Sequence, residues 1–289
     1  MSNYVIIGIH GLYNKPRKEH LSRLWSEAIL DGLRRNEGRT SPEAPSFELV
    51  FWADVLHGPE RLEDWDYPVW DKPGPFQRYE DGFWDALRAQ AWDALDTPLD
   101  LVKRWIGADP ISDIALRHVL TDLGRYYHEA GIRDALQGRL RAAIEAAHDA
   151  DRRIMVIGHS MGSIVAYDTL RAIGKQRRDI AIDHFVTIGA PLGLPQVKFR
   201  VAEENDLVRT PSIVRKWTNQ AERRDPIAFD THLAGDFKPN DAGVQVHDDL
   251  VCNDTVPERE PKTPGEINHH SIFGYLRTPE MSRLIRQFI

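Results

Sequence analysis

Short apolar runs that end at glycine, proline or a polar turn recur along the chain and predict strands. The four clearest runs are nearly continuous in apolar residues, which is typical of strands buried on both faces of a parallel sheet. They are Tyr4–Ile9, Phe47–Val55, Arg153–Ile157 and His184–Ile188. Two later runs, Ile213–Asn219 and Val244–Val251, alternate more between apolar and polar residues. We expect these two strands nearer the edge of the sheet.

Helical periodicity fills the intervals between these runs. Apolar residues recur there every three or four positions, which places them on one face of a helix. The segments with this pattern are Glu19–Arg35, Gly131–His148, Ser163–Ile173 and Pro279–Ile289. Strands that alternate with helices predict a mostly parallel sheet with helices on both faces. The predicted fold class is therefore α/β, with a sheet of about six strands.

One interval is too long for a simple crossover between strands. More than seventy residues separate the second and third predicted strands, and structureless loops of that length are uncommon in compact domains. The interval contains five of the eight tryptophans, which fit a small core of their own or the lining of an apolar pocket. We therefore predict an inserted helical cap over residues 58–130, and an α/β core formed by residues 1–57 and 131–289.

Charge and cysteine content narrow the choice of partners. The chain has 44 acidic against 37 basic residues and no long basic tract, which argues against a nucleic-acid partner. Cys252 is the only cysteine, so no internal disulfide can form. There is no cationic leader before an apolar stretch, and no apolar run reaches about 18 residues. We predict a cytoplasmic protein without stable membrane insertion, and the oligomeric state stays open.

The segment Gly158-His159-Ser160-Met161-Gly162 fits the pattern Gly-x-Ser-x-Gly. It stands between a predicted strand and a predicted helix. A sharp turn there exposes the serine hydroxyl, and small residues on either side let the strand and the helix approach closely. The alternative is a glycine-rich strand–helix turn without chemistry. Because of its context, the motif predicts Ser160 as a nucleophile.

With the pair His10-Gly11 at the end of the first predicted strand, this motif resembles the α/β-hydrolase superfamily, particularly its lipases and esterases. The resemblance implies that the backbone N–H groups of Leu12 and Met161 form an oxyanion hole. The supporting residues implied are His10, Gly11, Gly158, His159 and Gly162. The two antiparallel strands that often open this fold are missing before Tyr4, so we expect a reduced form of it.

The superfamily's chain order of serine, acid and histidine directs the search for the acid. The segments Trp217-Thr218-Asn219 and Asp225-Pro226-Ile227 resemble a Trp-x-Asn … Asp-Pro-Val pattern of such hydrolases. This resemblance implies Asp225 as the acid, and Pro226 would hold it in an extended conformation. Asp206 and Asp230 are weaker candidates.

The base is expected in the loop after the last strand. The run from His270 to Gly274-Tyr275-Leu276 resembles the His-x-x-x-Gly-Tyr-Leu ending of some bacterial members, which implies His270, with His269 as the alternative. A metal site is the competing interpretation, since the side chains of His247, Asp248, Asp249, His269 and His270 would suit zinc or manganese. No two of these histidines have the helical i, i+4 spacing, so we predict neither a metal nor a cofactor.

These residues predict acyl transfer to water through an acyl-enzyme, with a small-molecule ester or acyl compound as substrate. Carboxylesterase or lipase-like hydrolysis is the favoured reaction. A thioesterase, an amidase or an acyltransferase would use the same groups. A ligand-binding or partner-binding protein on a hydrolase fold is the alternative of a different class.

Overall fold

The computed structural model describes residues 2–12, 15–37, 44–58, 78–79, 121–205, 207–228, 230–253 and 268–289. These residues form one open sheet of six parallel strands with helices around it. The strands are β1 (Tyr4–Ile9), β2 (Phe47–Val50), β3 (Arg153–His159), β4 (His184–Ile188), β5 (Trp217–Ala221) and β6 (Val246–Leu250). Their order in the sheet is β2-β1-β3-β4-β5-β6, which confirms the predicted α/β class and strand number. The strands of the two alternating segments are neighbours, with β6 at one edge and β5 beside it.

Seven helices of the described residues have both ends defined. They are α1 (Lys18–Glu37), α2 (Ala53–His57), α3 (Ala130–Asp149), α4 (Met161–Gln176), α5 (Pro195–Asn205), α6 (Ile272–Arg277) and α7 (Pro279–Phe288). The periodicity predicted α1, α3, α4 and α7 to within three residues at each end, and it missed the other three. No helix in this part of the chain is long and apolar enough to span a membrane.

Two apolar layers cover the faces of the sheet. Side chains of a strand point alternately to its two faces, and neighbouring residues of β1 therefore enter different layers. Ile7 lies in the layer that contains Ile164 of α4, whereas Ile6 lies in the layer that contains Trp25 of α1 and Ile285 of α7. All five side chains are fully buried. Helices therefore cover both faces of the sheet. A site can then form among the loops at the ends of the strands.

The prediction for the second strand was wrong in its last part. The extended segment stops at Val50, and Ala53–His57 is a helix. The backbone leaves the extended conformation at Trp52, where φ is −143° and ψ is 0°. Both the backbone N–H and the indole N–H of Trp52 donate to His10, so contacts with the end of β1 turn the chain there.

Most of the predicted cap lies outside the described residues, since the structure describes neither 59–77 nor 80–120. Within the predicted interval, residues 121–128 are helical. Leu123 and Tyr126 of this helix are buried in the same apolar layer as α3 and α4. The C-terminal end of the interval therefore packs on the α/β core.

Candidate active site

Ser160 lies at the sharp turn between β3 and α4. Its φ of 53° and ψ of −130° are unusual for a residue with a side chain and cost on the order of 1–3 kcal/mol. The residue is buried, and its backbone N–H donates to the Ile188 carbonyl of β4 at 3.1 Å. The turn thus has the strained backbone by which a Gly-x-Ser-x-Gly segment presents its serine at the top of a parallel sheet.

The glycines on either side of Ser160 allow two close backbone approaches. A Cβ on Gly158 would lie 2.8 Å from the Cα of Ser163 in α4. A Cβ on Gly162 would lie 2.5 Å from the carbonyl oxygens of both Ile9 and His10. Such contacts are too short for any larger residue, so the strand–turn–helix geometry requires glycine at both positions.

The chain after β1 runs directly against Ser160. A Cβ on Gly11 would lie only 2.6 Å from the Cβ of Ser160, and the next residue, Leu12, is buried. Met161 is the first residue of α4, where a backbone N–H has no acceptor within the helix and the helix dipole is positive. Two segments that carry candidate oxyanion donors therefore meet beside the serine.

His10 has a structural place at the end of β1. Its Nε2 accepts the backbone N–H of Trp52 at 3.0 Å, so the ring proton lies on Nδ1, which donates to the Gly11 carbonyl at 2.8 Å. The indole of Trp52 stacks on the imidazole with the ring centroids 4.6 Å apart. Burial, with a smaller contribution from Lys15, lowers the pKa of His10 to about 3. The ring is therefore neutral and holds the Gly11 turn in place.

Asp225 and His270 form a hydrogen-bonded pair. The Nδ1 of His270 lies 2.8 Å from Oδ2 of Asp225, whose side chain is completely buried. The imidazole is about one-fifth exposed. Because the carboxylate accepts the Nδ1 proton, the neutral ring keeps Nε2 as a proton acceptor. A buried carboxylate that fixes one tautomer of a histidine is the arrangement by which Ser-His-Asp hydrolases orient their general base.

Tyr275 is a third partner of this pair. Its hydroxyl donates to Oδ2 of Asp225 at 2.7 Å, while Oδ1 accepts the backbone N–H of Ile227 at 2.8 Å. Burial, and next the neighbouring Asp225 carboxylate, raise the pKa of Tyr275 well above its ordinary value. The phenol therefore stays protonated and acts as a donor.

His159, the residue before the serine, contacts His270. Its Nε2 donates to the His270 carbonyl at 3.1 Å, and the two ring centroids are 4.7 Å apart. Burial first, and then the nearby His270, lower the pKa of His159 well below its usual value. A neutral His159 thus links the turn at Ser160 to the backbone of the histidine loop.

The alternative residues have other partners. The Nδ1 of His269 donates to the Asn253 carbonyl at 2.8 Å, so this ring is directed to the end of β6 and not to Asp225. Asp230 accepts the backbone N–H of His232 at 3.0 Å, and burial, followed by a hydrogen bond with Asp236, raises the pKa of its carboxyl to about 6. Asp206 lies outside the described residues.

The segment considered for a metal has ordinary ion pairs and hydrogen bonds. His247 is exposed and lies 3.1 Å from Asp249, and Asp248 accepts the side-chain amide of Asn219 and the backbone N–H groups of Leu233 and Ala234. In the described ranges, no group of three or more His, Cys, Asp or Glu side chains is arranged to hold a metal ion.

Sequence reasoning missed four residues around the pair: Gly189, Glu222, Asn253 and Tyr275. Tyr275 lies in the Gly-Tyr-Leu segment whose resemblance to other hydrolases indicates His270. That resemblance does not predict the contact of Tyr275 with Asp225. Gly189 follows β4 with a φ of 53°, and a Cβ there would lie 2.9 Å from Oδ2 of Asp225. No local pattern distinguishes Glu222 or Asn253 from other polar loop residues.

Comparison with protein families gives one match. The family model of lecithin:cholesterol acyltransferase matches residues 127–200, about a quarter of the chain. The matched segment includes β3, the turn at Ser160, α4 and β4, but neither Asp225 nor His270. A comparison with curated proteins finds no match. The match to this family and the six-stranded parallel sheet together fit the α/β-hydrolase superfamily.

Proposed function

We propose that the chain is a serine hydrolase that cleaves carboxylic esters through an acyl-enzyme on Ser160. In this proposal His270 is the general base and Asp225 orients it. The observation that supports it best is the 2.8 Å hydrogen bond between the buried Asp225 carboxylate and Nδ1 of His270. That pair belongs to the same loop cluster as the strained turn at Ser160, because His159 donates to the His270 backbone.

The reaction has two halves. Nε2 of His270 takes the proton of the Ser160 hydroxyl as its oxygen attacks the ester carbonyl, and Asp225 stabilises the imidazolium. The backbone N–H groups of Leu12 and Met161 would bind the oxyanion, a contribution of roughly 3–4 kcal/mol per well-placed donor in other hydrolases. The imidazolium protonates the leaving alcohol, and a water activated by the same histidine then releases the acid.

The family match favours an ester of a lipid as the substrate class, and it supports a second candidate reaction. An acyltransferase would pass the acyl group from Ser160 to an alcohol in place of water, with the same catalytic groups. Thioester and amide substrates use this chemistry too. The cytoplasmic location and the cap over residues 58–130 stay predictions.

Hydrolysis of 4-nitrophenyl esters with acyl chains of two to twelve carbons tests the proposal. Ser160→Ala should lower kcat at least about 10³-fold, whereas Ser26→Ala, which removes a partly buried hydroxyl from α1, should not change it. Added alcohols distinguish the two reactions, because an acyltransferase forms new ester at the expense of free acid. Equal turnover by Ser160→Ala and the parent protein would refute the nucleophile, and the absence of turnover on every ester, thioester and amide would favour a binding protein.

A further inference from the structure

We propose that Tyr275 is a positioning residue that holds the Asp225 carboxylate and limits how strongly it attracts the protonated form of His270. The inference rests on the proposed function, since it assigns a role within the same acid–histidine pair. It adds a fourth side chain to the serine, acid and histidine, and it makes a part of α6 necessary for the chemistry.

The geometry gives Tyr275 both a donor and an acceptor role. Its hydroxyl oxygen accepts the backbone N–H of Glu222 at 3.0 Å, and its proton is donated to Oδ2 of Asp225 at 2.7 Å. The whole residue is buried. Hydrogen bonds in such a chain polarise one another, so the N–H of Glu222 makes the phenol a stronger donor to the carboxylate.

Oδ2 of Asp225 accepts hydrogen bonds from two donors. His270 and Tyr275 both bind this oxygen, at 2.8 and 2.7 Å, while the Ile227 N–H binds Oδ1. The bond to Ile227 and the bond from Tyr275 fix the plane of the carboxylate. The phenol also stabilises the negative charge, and a carboxylate stabilised in this way stabilises an adjacent imidazolium less.

Tyr275 moves with the histidine because both belong to one short segment. His270 precedes Ser271 and α6, and the backbone N–H of Tyr275 donates to the Ser271 carbonyl at 3.2 Å. Asn253 fastens this segment: its side-chain amide donates to the His269 and Ser271 carbonyls, and its backbone N–H donates to Glu222 at 2.8 Å. The acid loop and the histidine loop are therefore joined on both sides of the pair.

The test compares Tyr275→Phe with Tyr167→Phe. Both substitutions remove a buried hydroxyl, but that of Tyr167 donates to the Arg209 carbonyl and does not contact the pair. Two readouts are recorded for each protein: the pH dependence of kcat/KM for a short 4-nitrophenyl ester, and the NMR titration of labelled histidine, with the His270 signal assigned by His270→Asn. Among the titratable neighbours of the pair, Glu222 and His159 are present in both variants.

Without the phenol, the Asp225 carboxylate stabilises the imidazolium of His270 more strongly. Tyr275→Phe should therefore move the acid limb of kcat/KM and the His270 titration midpoint to higher pH, by about half a unit, and lower kcat/KM about tenfold. Tyr167→Phe should shift neither. If Tyr275→Phe does not fold, site-specific 3-fluorotyrosine at position 275 keeps the hydroxyl, and its more acidic phenol should shift the midpoint to lower pH.

The NMR titration separates this inference from the proposed function. A parent protein that hydrolyses no acyl substrate, but whose His270 midpoint responds to Tyr275→Phe, would refute the function and retain the coupling. A parent protein that hydrolyses esters, with the same His270 midpoint and acid limb in every variant, would overturn the role of Tyr275 and leave the function intact.

Discussion

Replacement of Gly189 by alanine tests whether the placement of the acid–histidine pair controls activity. Gly189 follows β4 with a φ of 53°, a conformation that residues with a Cβ rarely adopt. A methyl group at this position would lie 2.9 Å from Oδ2 of Asp225 and 3.1 Å from both Cε1 and Nδ1 of His270. The substitution would therefore place its only new carbon against the two groups that form the hydrogen bond.

The size of the effect follows from these distances. The left-handed backbone costs an alanine about 1 kcal/mol of folding stability relative to glycine. An ordinary contact between carbon and oxygen is about 3.5 Å, so the carboxylate or the imidazole must move by roughly half an ångström. Since a displacement of about 1 Å can cost about 10²-fold in rate, we expect Gly189→Ala to lower kcat/KM by about 10- to 100-fold.

Gly243→Ala is a matched control. Gly243 has a φ of 77°, and a Cβ there would meet no heavy atom within 4 Å. Urea unfolding should show a loss in unfolding free energy of about 1 kcal/mol for Gly243→Ala and a larger loss for Gly189→Ala, because the displaced pair adds the cost of overpacking. The value of kcat/KM for a short 4-nitrophenyl ester should fall in Gly189→Ala alone. Equal activity of the two variants would show that the contact at position 189 does not displace the pair, contrary to the expected clash.

Three other tests use substitutions at separate places in the fold. Asp225→Asn should lower kcat/KM about 10³- to 10⁴-fold, because the amide favours the wrong histidine tautomer, and a loss below tenfold in a variant with a native circular dichroism spectrum would contradict this. Burial raises the pKa of Asp168 to about 7, so between about pH 4 and pH 7 the native state keeps a proton that the unfolded state releases. The melting temperature of the parent protein, measured relative to that of Asp168→Asn, should therefore decrease as the pH is raised from about 4 to 7. A difference that stays constant over this range would contradict the raised pKa. In urea titrations, Gly162→Ala should lower the free energy of unfolding by about 3 kcal/mol. Gly138→Ala, where a Cβ on α3 would meet no other atom, should raise it by about 0.5–1 kcal/mol. Similar values for both variants would contradict the close approach at the turn.

The parts of the fold predicted best are those whose signal is local. The apolar runs of β1 and β4 end at polar or glycine residues, and their bounds were predicted without error. The end of β2 was not, because apolar residues continue past Val50 while Trp52 turns to bond His10. All six residues of α6 are buried, so this helix has no polar face and no amphipathic pattern by which to detect it.

The candidate site also contains both residues with a local sequence signal and residues placed by distant contacts. Ser160 stands in a contiguous motif whose glycines have a steric reason within the same turn. His269 and His270 are adjacent, and the direction of each ring depends on which partner the fold brings to it. Asn253 binds the first and Asp225 the second. The resemblance of the neighbouring segments favoured His270, but the partner of each ring is not predictable from the residues next to it. The roles of Gly189 and Tyr275 likewise depend on contacts between distant segments.

The site at which a fluorophosphonate reacts with the folded protein tests directly whether Ser160 is an activated nucleophile. Such a probe labels a serine whose hydroxyl is activated by a neighbouring base and whose phosphonyl oxygen can be stabilised by oxyanion donors. Mass spectrometry of the intact chain should show a single adduct, peptide mapping should place it on Ser160, and His270→Ala should abolish it. No adduct on the folded chain, or an adduct on another residue, would contradict the account.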